Sequence, residues 1–206
     1  MKLYLWIIAI GGAVIFLANF LVFSVIGDSF YWWHLLVLTI GVIVALFLVD
    51  LIFAFFVRVW PKRWFSHKKR FFVVGKREMR FYERLGIVRW KDRVPEIGKL
   101  VGYDKTKVGE RTADNILEFL YETGYGEVIH WWCLVASFIV MGIYFLLPFW
   151  DIRLFLTTIL PASIVNFFLN LAPVFIQRYN RPRLVRIYEL QLKKEKSIKE
   201  KTQALQ

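Results

Sequence analysis

Four stretches of this chain are apolar for long enough to cross a lipid bilayer, and that constrains its fold more than any other feature. They run from Leu3 to Ile26, from Trp33 to Val57, from Val128 to Trp150 and from Leu154 to Gln177. A helix of about 20 apolar residues covers ~30 Å of hydrocarbon. Lipid offers no hydrogen bonds, so each run must satisfy its own backbone and is expected to be helical. The first run follows Met1-Lys2 as a secretory signal would. It is too long for such a segment and ends without a small-x-small cleavage site, so it is expected to be retained. Of 206 residues, 58% are hydrophobic and 21% charged, with a mean hydropathy of +0.49. That much charge cannot lie wholly inside a bilayer, so apolar spans must alternate with charged segments.

The charge is unevenly placed. Residues 58–127 carry a net +7 and residues 178–206 a net +6, out of +12 for the whole chain. Both basic regions border apolar runs. By the positive-inside rule they face the cytoplasm, and so do both termini. The expected fold is therefore an all-α membrane protein with four transmembrane helices in two hairpins, residues 1–57 and 128–177. A basic cytoplasmic segment of interfacial and amphipathic helices, residues 58–127, joins them, and a basic helix covers residues 178–206. Basic charge beside apolar spans points to anionic membrane lipid or a phosphate-bearing cosubstrate, and away from nucleic acid. The single cysteine, Cys133, cannot form an internal disulfide and reads as packing.

Aromatic groups mark the edges of the spans. Phe30-Tyr31-Trp32-Trp33, with His34 beside them, is of the kind found at headgroup level, and Trp60-Pro61-Lys62-Arg63-Trp64-Phe65 suits a segment lying on the membrane. Residues 76–86 read as a helix with Met79, Tyr82 and Leu85 on one stripe and Gly86 as its stop. Gly98, Gly102 and Gly109 mark loop and match no phosphate-binding pattern. Residues 110–123 read as an amphipathic helix, with Glu110, Asp114, Glu118 and Glu122 opposite Ala113, Ile116, Leu117 and Leu120. Gly124-Tyr125-Gly126 is expected to break it before the third span. Trp150-Asp151-Ile152-Arg153 reads as a tight turn, and Pro161 and Pro173 as kinks in the fourth span.

The polar residues inside the spans carry the functional signal. Ser163, Asn166, Asn170 and Gln177 recur at helical spacing with Pro173, and they lead into Gln177-Arg178-Tyr179-Asn180-Arg181-Pro182-Arg183. Amides in lipid need partners or work. Arg178, Arg181 and Arg183 can grip a phosphate or carboxylate, or anchor the helix at the headgroups. Asp50, about two turns from the basic end of the second span, is expensive there unless paired or facing a polar cavity. Glu127 and His130 share a helical face at the start of the third span. A histidine beside a carboxylate can serve as a general base, with Glu127 holding the ring, or the two can simply orient the helix. Trp90 and Asp92 lie in the dense polar segment Trp90-Lys91-Asp92-Arg93.

Several chemistries are not supported. No His/Cys/Glu arrangement has metal-ligand spacing, no Gly-x-Ser-x-Gly elbow occurs, and no histidine is followed by the His-x-x-x-x-Asp pattern of soluble-headed glycerolipid acyltransferases. Glu-x-x-His-Trp at 127–131, with Asn-Leu-x-Pro-x-x-x-Gln-Arg-Tyr-Asn-Arg-Pro-Arg at 170–183, resembles the glycosyl-4,4′-diaponeurosporenoate acyltransferase family of small bacterial membrane proteins. Trp90-Lys91-Asp92-Arg93 with Pro95 resembles a further element of it. The resemblance implies a multi-pass protein of a bacterial inner or plasma membrane. It implies transfer of a fatty acyl chain from acyl-CoA or another activated donor, without a cofactor, to a hydroxyl of a glycolipid or terpenoid glycoside. On that reading His130 is the base and Glu127 its partner. Arg178, Arg181 and Arg183 hold phosphate or a polar head, and Asn170 and Asp92 position the hydroxyl. Tyr179, Asn180, Gln177, Trp90 and Asp50 complete the expected substrate site. A lipid-binding scaffold and a small membrane methyltransferase remain the rival readings.

Overall fold

The computed structural model describes residues 2–26, 31–94, 112–148 and 151–204. Among these residues the chain forms helices and no strand. The long helices are α1 (Lys2–Ile26), α2 (Trp32–Arg58), α5 (Ala113–Leu146) and α7 (Leu160–Ala204). The short ones are α3 (Lys76–Arg84), α4 (Ile87–Trp90) and α6 (Ile152–Leu154), which a π-helical turn, Phe155–Ile159, joins to α7. Four helical stretches are long and apolar enough to cross a membrane: α1 from Leu5, α2, α5, and the run from Ile152 through α7. The expectations for Gly27 to Phe30, Pro95, Glu96, Gly98, Gly102, Gly109, Glu110 and Trp150 lie outside the described residues.

The chain divides into two compact units. One comprises Met1–Arg58 and Ile129–Ala172, the other Val59–Val128 and Pro173–Gln206. In the first unit α1 packs on α2, and both meet the π-helical turn. Its core joins Ile15 and Phe23 of α1, Leu35, Val42 and Leu46 of α2, Val140 and Tyr144 of α5, and Leu154, Ile159 and Ala162. Apolar side chains such as Leu21, Val25, Phe47 and Phe55 point outward, as helices solvated by lipid require.

One polar knot fixes this core. A regular helix would send the residue-161 N–H to the Thr157 carbonyl, but Pro161 has none. That carbonyl accepts instead from Asn19 Nδ2 of α1 at 3.2 Å. The same amide donates to Thr158 Oγ1 at 2.7 Å and to the Ile15 carbonyl at 2.9 Å, and the Thr157 hydroxyl donates back to Asn19 Oδ1. Asn19 and Thr158 are each 1% exposed. The π turn thus absorbs Pro161, which stands in the first turn of α7 within the fourth apolar stretch. Asp151 caps α6 by accepting from the Arg153 N–H at 2.7 Å and pairs with the Arg153 guanidinium at 2.7 Å.

Two sequence expectations are corrected. Residues 124–126 do not break α5, which runs unbroken from Ala113 to Leu146. Their glycines serve close approach within the second unit. A Cβ on Gly124 would stand 3.1 Å from the Phe65 carbonyl oxygen and Cβ, and one on Gly126 would meet Gln177 Nε2 at 2.7 Å. Phe65 stacks on Tyr125 with ring centroids 3.8 Å apart, and the Tyr125 hydroxyl donates to the Trp60 carbonyl at 2.9 Å. Nor is the basic stretch 178–206 a helix of its own. One helix continues through Pro173 and Pro182 to Ala204. No glycine occurs after Gly142, and the closing residues are rich in the strong helix formers Lys, Glu, Leu and Gln. Glu195 of this stretch accepts the Ala113 N–H at 2.8 Å, so α7 caps the start of α5. On α3, Tyr82 is buried and Met79 partly so, whereas Leu85 is exposed at the C-cap.

The Phe65 contact makes Gly124 the more demanding of the two glycines, since a backbone oxygen cannot swing away as the end of Gln177 can. Gly124→Val is expected to destabilise the protein by about 1–3 kcal/mol, read as a lowered thermal unfolding midpoint in detergent. An unchanged midpoint would contradict the close packing.

Candidate active site

Within the first unit, α2, α5 and α7 bring five polar side chains into one chain of hydrogen bonds. His130 Nδ1 lies 2.9 Å from Asn170 Oδ1. Asn170 Nδ2 donates to Asp50 Oδ2 at 3.1 Å and to the Asn166 carbonyl at 3.1 Å. Asn166 Nδ2 lies 3.4 Å from Asp50 Oδ1 and 3.3 Å from Ser137 Oγ. The spacing of four residues from Asn166 to Asn170 puts both amides on the side of α7 that meets Asp50. Asn170 is buried, and Asp50 and His130 are partly buried. Cys133 is buried with its Sγ 3.8 Å from the Asp50 carbonyl. Ser163 is buried, and its hydroxyl has no hydrogen-bond partner among the described residues.

The chemistry of this chain follows from its acceptors. Carboxylate and carbonyl oxygens surround Asn170 Nδ2, so the amide oxygen is the end that faces His130. An imidazole nitrogen facing an oxygen must carry the proton. Nδ1 therefore donates, and Nε2, which makes no hydrogen bond among the described residues, keeps its lone pair. A neutral imidazole held this way can take a proton from a hydroxyl.

In the second unit the arginine motif is engaged with glutamates. Arg178 Nη1 donates to Glu127 Oε1 at 2.6 Å, and Arg181 Nη2 donates to Glu127 Oε2 at 2.7 Å. Arg178 also grips Glu78 through Nε and Nη2, the latter 3.0 Å from Oε2, and reaches the Phe71 carbonyl at 2.9 Å. Glu78 accepts from the Tyr82 hydroxyl at 2.6 Å. Glu127 and Arg181 are 0% and 1% exposed, and the Arg181 guanidinium sits 4.7 Å from the centre of the Phe72 ring. Burial opposes ionisation of Glu78, but the hydrogen bonds from Arg178 and Tyr82 outweigh it and hold its carboxyl below the usual range. At His67 burial and the neighbouring Lys68 push the imidazole pKa down.

The remaining expected site residues fall as follows. Lys91 Nζ lies 3.4 Å from Asn180 Oδ1 and 5.9 Å from the centre of the Tyr179 ring, so the segment after α4 meets the arginine motif. Trp90 donates to the Leu85 carbonyl at 3.2 Å and packs in the cluster of Tyr82, Ile87 and Ile176 that Tyr179 also joins. Gln177 Oε1 is buried without a partner, and Asp92 and Arg183 are exposed. The partner of His130 is Asn170, not Glu127, because both Glu127 oxygens are taken by guanidinium groups. Glu78 and Ser137 were not singled out from the sequence, and Tyr82 was read only as part of an apolar stripe. Glu78 could have been suspected as an acid amid the cations of α3, whereas Ser137 carries no local signal.

Fold and site define the class: a helical membrane protein whose spans carry a histidine–amide–carboxylate chain, with a buried arginine–glutamate cluster in the second unit. The family model described as glycosyl-4,4′-diaponeurosporenoate acyltransferase matches residues 61–190. That is more than half of the chain, and the protein belongs to this family. The family's name denotes acyl transfer. Neither a curated protein nor a solved structure matches the chain.

Removing the shared carboxylate would strand the buried Arg181 and leave Arg178 with Glu78 alone. Glu127→Gln is expected to cost about 3–5 kcal/mol, seen as loss of the folded protein on heating in detergent. Equal stability would show that the cluster does not hold the fold. Glu78 sets an acid limit. Its contribution is complete above the ordinary carboxyl value of about 4.5 and is lost as pH falls through its lowered value. Unfolding midpoints measured against pH should fall in that window, and Glu78→Gln should flatten the fall.

Proposed function

We propose that this protein is a bacterial membrane acyltransferase that moves a fatty acyl chain from an activated donor to a sugar hydroxyl of a glycosylated, terpenoid-like lipid. The observation that carries this is the His130 ring, held through Nδ1 by Asn170 at 2.9 Å with Nε2 left free in a membrane-spanning helix. Family membership supplies the reaction class.

With a thioester donor, Nε2 takes the proton of the acceptor hydroxyl as its oxygen bonds to the acyl carbonyl carbon. The tetrahedral intermediate collapses with loss of the C–S bond, and the imidazolium returns the proton to the departing thiolate. The products are an ester and a free thiol, and no cofactor takes part. A membrane-held acceptor and a soluble donor meet most simply at one leaflet. The charge of the basic regions supports a reading in which that leaflet is the cytoplasmic one, with both termini there and the four spans paired in two hairpins. The exposed cations of the second unit, Arg183 among them, suit the phosphates of the donor or the head of the acceptor. Arg178 and Arg181 are proposed to bind substrate only through groups that their glutamates leave free.

A second reading, a lipid-binding protein without turnover, draws on the exposed cations Lys76, Arg77, Arg80 and Arg84 of α3. One assay separates the two. The purified protein, given host polar lipids and long-chain acyl-CoA, is expected to release thiol and to yield a heavier lipid by mass spectrometry. His130→Ala should slow release by ~10²–10⁴-fold while remaining folded. Undiminished release by that variant would overturn the role of His130. No product from acyl-CoA, acyl carrier protein thioester or acyl phosphate would favour the lipid-binding reading.

A further inference from the structure

Asp50 lies on α2 and makes no hydrogen bond to His130 among the described residues, yet it takes amide donors on both oxygens. Asn170 Nδ2 reaches Oδ2 at 3.1 Å, and Asn166 Nδ2 lies 3.4 Å from Oδ1. We propose that Asp50 is a positioning residue that sets the tautomer of His130 through the orientation of Asn170. The proposal rests on the assignment of His130 as the base, and it explains how that base is kept in working form.

The argument is one of donor and acceptor inventory. An asparagine side chain has one donating and one accepting end, and turning it over exchanges them. If Asn170 turned over, its oxygen would face Asp50 Oδ2, the Asn166 carbonyl and Asn166 Oδ1, the three groups its nitrogen now meets at 3.1, 3.1 and 3.4 Å. It would also present N–H to His130 Nδ1, which would then have to accept. The ring proton would move to Nε2, and the nitrogen that removes the substrate proton would be blocked. Free imidazole side chains in water favour the Nε2–H form, so the Nδ1–H form here must be imposed by its surroundings. A carboxylate imposes it because it has no donating end.

An asparagine at position 50 keeps the shape and loses that property. Its own nitrogen must face either Asn170 or Asn166, and whichever amide it faces must turn over. Asp50→Asn is therefore expected to leave His130 distributed between both tautomers. The double variant Asp50→Asn, Asn170→Asp moves the carboxylate next to His130 without changing atom count or net charge. There the carboxylate accepts from both Nδ1–H and the new amide, at the cost of setting an oxygen beside the Asn166 carbonyl, and because it has no donating end the single Nδ1–H tautomer should return.

The chain has three histidines, so ¹⁵N-histidine NMR in detergent, with His130→Gln to assign the ring, reads the tautomer directly at a pH where it is neutral. Circular dichroism confirms that each variant is folded. Expected are a single Nδ1–H form in the natural protein, a mixture in Asp50→Asn and restoration in the double variant. In parallel, kcat should fall by at least about ten-fold in Asp50→Asn with KM little changed, and recover in the double variant. A His130 that stays wholly Nδ1–H in folded Asp50→Asn, or that is Nε2–H in the natural protein, overturns the proposal. The expected tautomer pattern in a protein that transfers no acyl group would uphold it and remove the acyltransferase reading instead.

Discussion

Hydrocarbon supplies no hydrogen bonds, so every polar atom carried into the membrane must find its partner in protein. Much of this structure follows from that requirement. Asn19 would be costly on α1 except that Pro161 leaves the Thr157 carbonyl unclaimed, and the two deficits cancel. The amides of α7 are tolerated because Asp50 can receive both. In both cases a polar group is matched by the vacancy another residue creates, and the match ties one helix to the next. The same requirement gives the proposed active site its rigidity. A histidine whose ring is fixed by an amide, itself fixed by a carboxylate, enters the reaction with little reorganisation left to make.

The spans were legible in the sequence because lipid sets a length and hydropathy that few other environments do. The arginine motif was legible as a centre of organisation, since three guanidinium groups closing an amide stripe have few uses. Its partners were harder to read. Glu127 and His130 share a helical face, and that spacing suggested a pair. Helical spacing reports which residues point the same way, and the choice among partners is made by the helix opposite. There α7 offers Asn170 to the histidine and Arg178 and Arg181 to the glutamate. Glu78 could not be matched to Arg178 from the sequence, because no local pattern links positions so far apart.

The misread breaks share one cause. In the sequence Gly124 and Gly126 read as punctuation, which is what glycine most often means between a charged helix and an apolar one. Here each lets another group come close, Phe65 in one case and Gln177 in the other. Pro182 likewise does not end α7. A proline deprives a helix of one hydrogen bond, and strong helix formers on the following turns restore what is lost.

The arginine–glutamate cluster has a consequence for how this protein meets charged surroundings. Glu78 and Glu127 cancel Arg178 and Arg181 in place, so of the three arginines in the motif that looks most cationic in the sequence only the exposed Arg183 adds to the electric field outside the molecule. The rest of the field that an anionic bilayer or a dissolved phosphate feels comes from the exposed cations of α3 and from lysines near the end of α7. Added salt screens those surface charges within a Debye length and leaves the buried quartet nearly untouched. Membrane attraction and internal cohesion are thus built from the same residue types but answer to different variables, the first to ionic strength and the second to acid.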